Sequence, residues 1–246
     1  MPIAEADFER KSVRLPAGVM TYDVGGSGRP VLYLHGADGI RIPPALRELA
    51  DRFRIVVPVM PGFEGTDRLP GVATMTDLAG LLAAFAEQAI GGRYDVVGHG
   101  FGGCVAAWLT VLDPDGVGQL VLESATGFQP PGSEDPGRAS RNHAVAGAYM
   151  GGRGGDEALL ARLGEIGCLT LIMQGTKDGI AAAEGARLIK SRIRRSHLIY
   201  VYDAAHAIAI DQPARFAALV GDFLGRAEGF LVNWTGHASD PAGIAS

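Results

Sequence analysis

The chain has 246 residues, of which 47% are hydrophobic and 20% charged, and its formal net charge is −5. This length and apolar content predict one α/β-type domain over residues 1–246 with a sizeable core. The interleaved charges exclude the basic stripe of a nucleic-acid-binding protein. No apolar run approaches the ~20 residues of a membrane span, and the acidic N-terminus lacks the apolar stretch of a signal peptide. Cys104 and Cys168 both lie in apolar segments, which predicts reduced core residues of a cytoplasmic protein and no metal site.

Short β-branched runs alternate with longer amphipathic stretches along the chain. This alternation predicts an eight-stranded, mostly parallel sheet with helices on both faces. An opening hairpin is predicted at 13–15 and 19–24, because Pro16 and Gly18 favour a turn between them. Six strands of near-continuous apolar character follow at 31–34, 54–58, 95–98, 119–122, 169–174 and 198–201.

Helices are predicted where apolar residues recur every three or four positions. One apolar stripe runs from Met75 to Ala89, and another follows Pro213, which suits the first turn of a helix. Residues 129–167 form an insertion, predicted as a loop and two short helices (138–150 and 156–166) that make a minimal lid. The C-terminal extension, 227–246, contains four apolar residues that we expect to dock on the body of the domain: Phe230, Leu231, Val232 and Trp234.

The first loop that could carry catalytic groups is His35-Gly36-Ala37-Asp38, directly after a predicted buried strand. Glycine permits a sharp turn there, which leaves the following amide, that of Ala37, free to face a developing oxyanion. A plain tight turn explains the His-Gly pair equally well.

The second loop is Val97-Gly98-His99-Gly100-Phe101-Gly102-Gly103, between a strand and a helix. It matches the G-x-S-x-G turn, in which small flanking residues expose a central nucleophile. Gly100 stands at that centre, and the amide of Phe101 is the expected second oxyanion donor. A nucleotide-binding glycine turn is disfavoured, because the spacing is not G-x-G-x-x-G followed by an acid at a strand end.

The third feature is a carboxylate and an imidazole that follow successive strands. Asp178 comes after the strand at 169–174, and His206 comes after the strand at 198–201. We expect the two side chains to meet at the carboxyl edge of the sheet, where an aspartate fixes the tautomer of a histidine.

In chain order, the nucleophile position comes first, then the acid and then the histidine, which is the order in the α/β-hydrolase superfamily. The chain resembles this superfamily over residues 12–226, and is most similar to its small-lidded carboxylesterases and C–C bond hydrolases. The resemblance implies that Asp178 is the triad acid and His206 the base. It also implies that the amides of Ala37 and Phe101 form the oxyanion hole, with no cofactor or metal. The departure is Gly100, which has no side chain with which to attack a substrate.

We expect a pocket for a small or medium, partly apolar molecule, lined by Asp38, Phe63, Phe128, His143, Tyr149 and Met150. For His143 a solvent-facing position is favoured over a ligand contact. Cys104, one helical turn beyond Gly100, is a conceivable substitute nucleophile, but core packing is favoured.

Three functions stay open on the sequence. The first is a hydrolase of esters or C–C bonds, weakened or inactivated because its catalytic triad lacks the nucleophile. The second is a non-enzymatic binder of small molecules. The third is cofactor-free lyase, isomerase or oxygenase chemistry with His206 as general base. The sequence does not indicate an oligomeric state.

Overall fold

The structure is a computed structural model that describes residues 7–128, 140–227 and 229–230. Its eight strands are β1 Phe8–Leu15, β2 Gly18–Gly25, β3 Arg29–Leu34, β4 Phe53–Pro58, β5 Tyr94–His99, β6 Val117–Glu123, β7 Leu169–Gly175 and β8 Ser196–Val201. They form one sheet in the order β1-β2-β4-β3-β5-β6-β7-β8. The strand β2 pairs antiparallel with β1 and β4, and the remaining neighbours pair parallel. The predicted fold class is therefore confirmed.

The helices cover both faces of this sheet. They are α1 Pro44–Leu49, α2 Met75–Ala89, α3 Phe101–Leu112, α4 Arg141–Tyr149, α5 Glu157–Arg162, α6 Ala183–Arg192, α7 Ile208–Asp211 and α8 Pro213–Arg226. Side chains of a strand alternate between faces. In β3, Leu32 and Leu34 therefore join the core under α2, α3 and α6, whereas Val31 and Tyr33 join the core under α1, α7 and α8.

The sequence predicted the hairpin, every strand and the helices α2, α3 and α8, but not α1, α6 or α7. In the insertion, residues 129–139 lie outside the described residues, and the rest holds the two expected helices, α4 and α5. Their N-termini are capped by the side chains of Ser140 and Asp156. In the C-terminal extension Phe230 packs edge-on against Phe223, 5.4 Å between ring centroids. Leu231, Val232 and Trp234 lie outside the described residues.

Candidate active site

The turn between β5 and α3 is tight because four of its residues are glycines. Gly100 has φ 53° and ψ −118°, a conformation that costs a residue with a side chain about 1–3 kcal/mol. A Cβ on Gly98 would lie 2.4 Å from the Gly102 carbonyl oxygen, and one on Gly102 would lie 2.2 Å from the Leu34 carbonyl oxygen. The strand, the helix and the neighbouring β3 therefore approach closely only because these positions carry no side chain.

Asp178 and His206 meet at the carboxyl edge of the sheet, as expected. The Nδ1 of His206 lies 3.1 Å from Oδ2 of Asp178, which is a hydrogen-bonding distance. The other carboxylate oxygen, Oδ1, accepts hydrogen bonds from the amides of Ile180 (2.8 Å) and Ala181 (3.0 Å). Burial alone raises the pKa of Asp178, but the bond to His206 and these amides outweigh it, so the pKa lies below the usual value. The acid is therefore ionised and fixed in place.

The imidazole of His206 points its second nitrogen at Gly100. A Cβ built on Gly100 would lie 3.0 Å from Nε2 and 3.6 Å from Cε1 of His206. The His206 side chain is 13% exposed and lines a cavity. The nitrogen that would exchange a proton with a nucleophile thus faces the space where such a side chain would stand.

The two residues whose backbone amides were expected to form the oxyanion hole both line this cavity. They are Ala37 and Phe101, of which Phe101 is the first residue of α3. Within the described part of the chain, neither amide N–H has a hydrogen-bond acceptor. Free amides beside a reacting centre, one of them at a helix N-terminus, suit a negatively charged oxygen.

The cavity has a volume of about 250 Å³. Of the residues expected to line it, Asp38, His143 and Met150 do so. The sequence favoured a solvent-facing position for His143, but its side chain is 19% exposed and lines the cavity. Its Nδ1 lies 2.6 Å from Ser140 Oγ. Its Nε2 lies 3.8 Å from Oδ1 of Asp38.

The prediction was wrong for Phe63, Phe128 and Tyr149, which do not line the cavity. All three are almost fully buried in the core. Phe63 packs on Phe101 with 5.6 Å between ring centroids, and the hydroxyl of Tyr149 donates to the Pro61 carbonyl at 3.0 Å. These aromatic side chains are part of the core beneath the site, because Phe63 and Phe128 on loops and Tyr149 at the end of α4 are all buried.

Sequence reasoning missed His99, the residue before Gly100. Its Nε2–H donates to the backbone carbonyl of His206 at 3.1 Å, and the two rings lie 4.8 Å apart. Burial, and then the neighbouring His206, lower the pKa of His99 to about 4. A Cβ on Gly36 would lie 2.7 Å from Nδ1 of His99. His99 therefore connects three loops: the one after β3, the turn at Gly100 and the loop that carries His206. The position of His99 within the glycine-rich turn is the sequence feature that could have identified it.

Glu123, at the end of β6, was also missed. It is fully buried and accepts a hydrogen bond from the Ala209 amide at 2.8 Å. Burial raises its pKa to about 8. Together with His99 and Tyr33 it lines a second cavity of about 230 Å³. The sequence feature that could have identified Glu123 is an ionisable residue at the end of an otherwise apolar strand. Arg153, in the glycine-rich part of the insertion, lines the first cavity and was missed as well.

Cys104 is fully buried within the core, and burial raises the pKa of its thiol well above the usual value. The predicted packing role is confirmed. Among residues 7–128, 140–227 and 229–230, no group of three or more His, Cys, Asp or Glu side chains is placed to hold a metal ion. No helix in those ranges has both the length and the apolarity to cross a bilayer.

The model of the family described as alpha/beta hydrolase fold matches residues 29–152, half of the chain. A 2-hydroxymuconate semialdehyde hydrolase of Pseudomonas sp. is 26% identical, with 89% of this chain and 95% of that protein covered. A dihydrolipoyllysine-residue acetyltransferase component of the acetoin cleaving system, from Cupriavidus necator, is 35% identical over 42% of this chain. The chain spans 28% of that protein's length.

Solved structures share the architecture. A thermophilic esterase from Thermogutta terrifontis superimposes with a TM-score of 0.73 at 24% identity, covering 89% of this chain and 99% of that one. At this identity the likeness shows the fold alone.

Proposed function

Since the chain belongs to the α/β-hydrolase fold family, we propose that it is a hydrolase of small carbonyl compounds, acting on an ester or a C–C bond, with no nucleophilic side chain at position 100. In this proposal Asp178 and His206 form the catalytic base, and Gly100 leaves the space of the usual nucleophile open. The relative from Pseudomonas sp., 95% of which is covered, is by name a hydrolase of a semialdehyde, and an aldehyde contains a carbonyl group, which supports a carbonyl substrate here.

One observation carries the proposal. The Nε2 of His206 lies 3.0 Å from the Cβ position of residue 100, while its Nδ1 is held by Asp178. Asp178, an ionised acceptor, keeps the neutral ring protonated on Nδ1 and leaves the lone pair on Nε2. His206 can therefore take a proton from a water molecule that attacks the substrate, and Asp178 stabilises the imidazolium that results.

The substrate's carbonyl oxygen is placed at the amides of Ala37 and Phe101. As the carbonyl carbon becomes tetrahedral, its oxygen gains negative charge, which two preorganised N–H donors stabilise more than they stabilise the ground state. The cavity of about 250 Å³ lies below the range of about 300–1,000 Å³ common for drug-sized ligands, so the substrate is small. We propose the described part of the insertion, residues 140–167, as its lid, because His143, Met150 and Arg153 line the cavity.

The missing side chain limits the rate. Removing a triad member from a serine hydrolase leaves about 10³–10⁴-fold acceleration over water, supplied by the oxyanion hole and substrate binding. A general base at a bound water contributes about 10²–10⁴-fold. We therefore expect turnover of activated substrates, in which the leaving group needs little assistance, and slow turnover of alkyl esters.

The same geometry favours a second candidate function. A base without a neighbouring nucleophile can remove an acidic proton next to the carbonyl, and an enolate oxygen would then be held by the same two amides. This is lyase or isomerase chemistry without a cofactor.

The test compares the unmodified chain with His206→Gln on short p-nitrophenyl esters and on 2-hydroxy-6-oxo-2,4-heptadienoate. We expect turnover above the buffer rate that falls at least ~100-fold in the variant. His197→Gln is the matched control, because His197 packs against Phe230, outside the cavity lining. Equal rates for the unmodified chain and His206→Gln would contradict the proposal. Saturable binding of the same compounds without turnover would then identify a small-molecule binder.

A further inference from the structure

No side-chain atom of residue 100 separates His206 from a substrate in the cavity. In a serine hydrolase the hydroxyl stands between the imidazole and the carbonyl carbon, so the imidazole acts only on protons. Here the atoms nearest to a Cβ position on Gly100 are Nε2 and Cε1 of His206, at 3.0 and 3.6 Å, and Cα of Gly36, at 3.8 Å. The imidazole therefore borders directly on the space into which a carbonyl group would enter.

The lone pair on Nε2 is available for bond formation. Asp178 holds Nδ1, and within the described part of the chain no donor engages Nε2. Asp178 is itself held by the Gln174 side chain at 3.1 Å and by two backbone amides, so it keeps the ring orientation fixed. A fixed imidazole that faces a bound carbonyl at close range has the high effective concentration of an intramolecular nucleophile.

We propose that His206 is itself the nucleophile toward activated acyl donors such as aryl esters. This inference rests on the proposed function: for activated acyl donors it replaces water attack in the first step by attack of Nε2, at the same site and with the same hydrolysis products. Histidine is among the side chains that form covalent intermediates with acyl groups. The alternative, water attack assisted by His206 as base, forms no bond between protein and substrate.

The step balances without another reactant. The Nε2 lone pair forms a bond to the carbonyl carbon, and the C=O π pair moves to the oxygen, which the amides of Ala37 and Phe101 stabilise. When that pair returns, the bond to the aryloxide breaks and the aryloxide leaves with its electron pair. The acylimidazolium keeps its Nδ1–H bonded to Asp178. Water then attacks the acyl carbon, the C–N pair returns to Nε2, and a water proton neutralises the aryloxide.

The direct probe is p-nitrophenyl N,N-dimethylcarbamate, because a carbamoyl-imidazole loses its carbamoyl group to water more slowly than an acetyl-imidazole loses its acetyl group. We expect one equivalent of dimethylcarbamoyl label per chain, mapped by peptide mass spectrometry to His206. The labelling rate should fall at least ~10-fold in His206→Gln and stay unchanged in His197→Gln. In Gly100→Ser we expect the label at position 100 instead.

A second measurement covers the case in which the carbamate does not react. On p-nitrophenyl acetate, nucleophilic attack by Nε2 and departure of the aryloxide move no proton. The solvent deuterium isotope effect on kcat/KM for p-nitrophenol release, which does not include the later attack of water, should therefore be close to unity. His206-dependent turnover with an isotope effect on kcat/KM clearly above unity and no label at His206 would overturn this inference and leave the proposed function standing. Label that persists in His206→Gln would also overturn it. Turnover that does not depend on His206 would overturn both.

Discussion

Gly100→Ser is the substitution whose consequences the structure specifies most fully. Its hydroxyl would stand near Nε2 of His206, because a Cβ at this position already lies 3.0 Å from that nitrogen. Ala37 and Phe101, the expected oxyanion donors, line the same cavity. We expect the turnover of p-nitrophenyl esters to rise at least ~10²-fold, within the ~2 × 10⁶-fold contribution of a complete triad.

The same substitution should lower stability. Serine must adopt the φ of 53°, which costs about 1–3 kcal/mol, and the imidazole must move by a few tenths of an ångström to accept the new Cβ. In a domain of this size 1 kcal/mol corresponds to about 2–4 °C in Tm, so we expect Tm to fall by roughly 2–12 °C. A thermal melt measures this beside the ester assays.

Gly100→Ala is the matched control. It introduces the same backbone strain and the same contact with His206 but no hydroxyl, so Tm should fall similarly and turnover should not rise. A Gly100→Ser protein that folds but shows no gain on any ester would refute the reasoning. Asp178, His206 and the amides of Ala37 and Phe101 would then not form a latent esterase site. That result would favour a non-enzymatic binder of small molecules, or an enzyme that removes an acidic proton from its substrate.

Three further predictions concern buried ionisable groups. Burial lowers the pKa of His35 and His99 to about 4. Between pH 6.5 and 4 the unfolded chain therefore binds more protons than the native one, so the free energy of unfolding, measured with urea, should fall on acidification. The fall should be less steep in His99→Gln. Burial raises the pKa of Glu123 to about 8, so between pH 4.5 and 8 this carboxyl is protonated in the native state and ionised in the unfolded state. The Tm of Glu123→Gln should therefore rise relative to that of the unmodified chain as the pH rises through that range. A Tm difference that does not change with pH would contradict this. His99→Phe should lower kcat roughly threefold to tenfold with little change in KM, because the hydrogen bond to the His206 carbonyl is lost, whereas His99→Gln should retain most of the activity.

The strands were predictable because they are buried on both faces and read as short apolar runs. The helices α2 and α8 have long apolar stripes, and α3 follows from the glycine turn. The helices α1 and α7, with 6 and 4 residues, are too short for a periodic pattern. In α6 only Gly185, Ala186 and Ile189 are buried, so its stripe is weak.

At the site, the placement of Asp178 and His206 followed from the rule that parallel strands deliver their loops to one edge. The pocket lining did not follow, because the position of an aromatic residue in the sequence does not determine the direction of its side chain. Phe63 and Tyr149 are buried in the core, whereas the less conspicuous Arg153 lines the cavity. The link from His99 to His206 joins residues 107 positions apart and depends on tertiary packing alone.

The central claim, that His206 faces the reacting atoms directly across the space above Gly100, is tested most directly by electron density. The measurement is a crystal structure of the unmodified chain soaked with the carboxylate product of a p-nitrophenyl ester that it turns over. We predict one carboxylate oxygen at the amides of Ala37 and Phe101, and an oxygen of the ligand or of a water within about 2.6–3.2 Å of Nε2. An imidazole turned away from Gly100, or a protein side chain filling that space while the carboxylate binds elsewhere, would contradict the account.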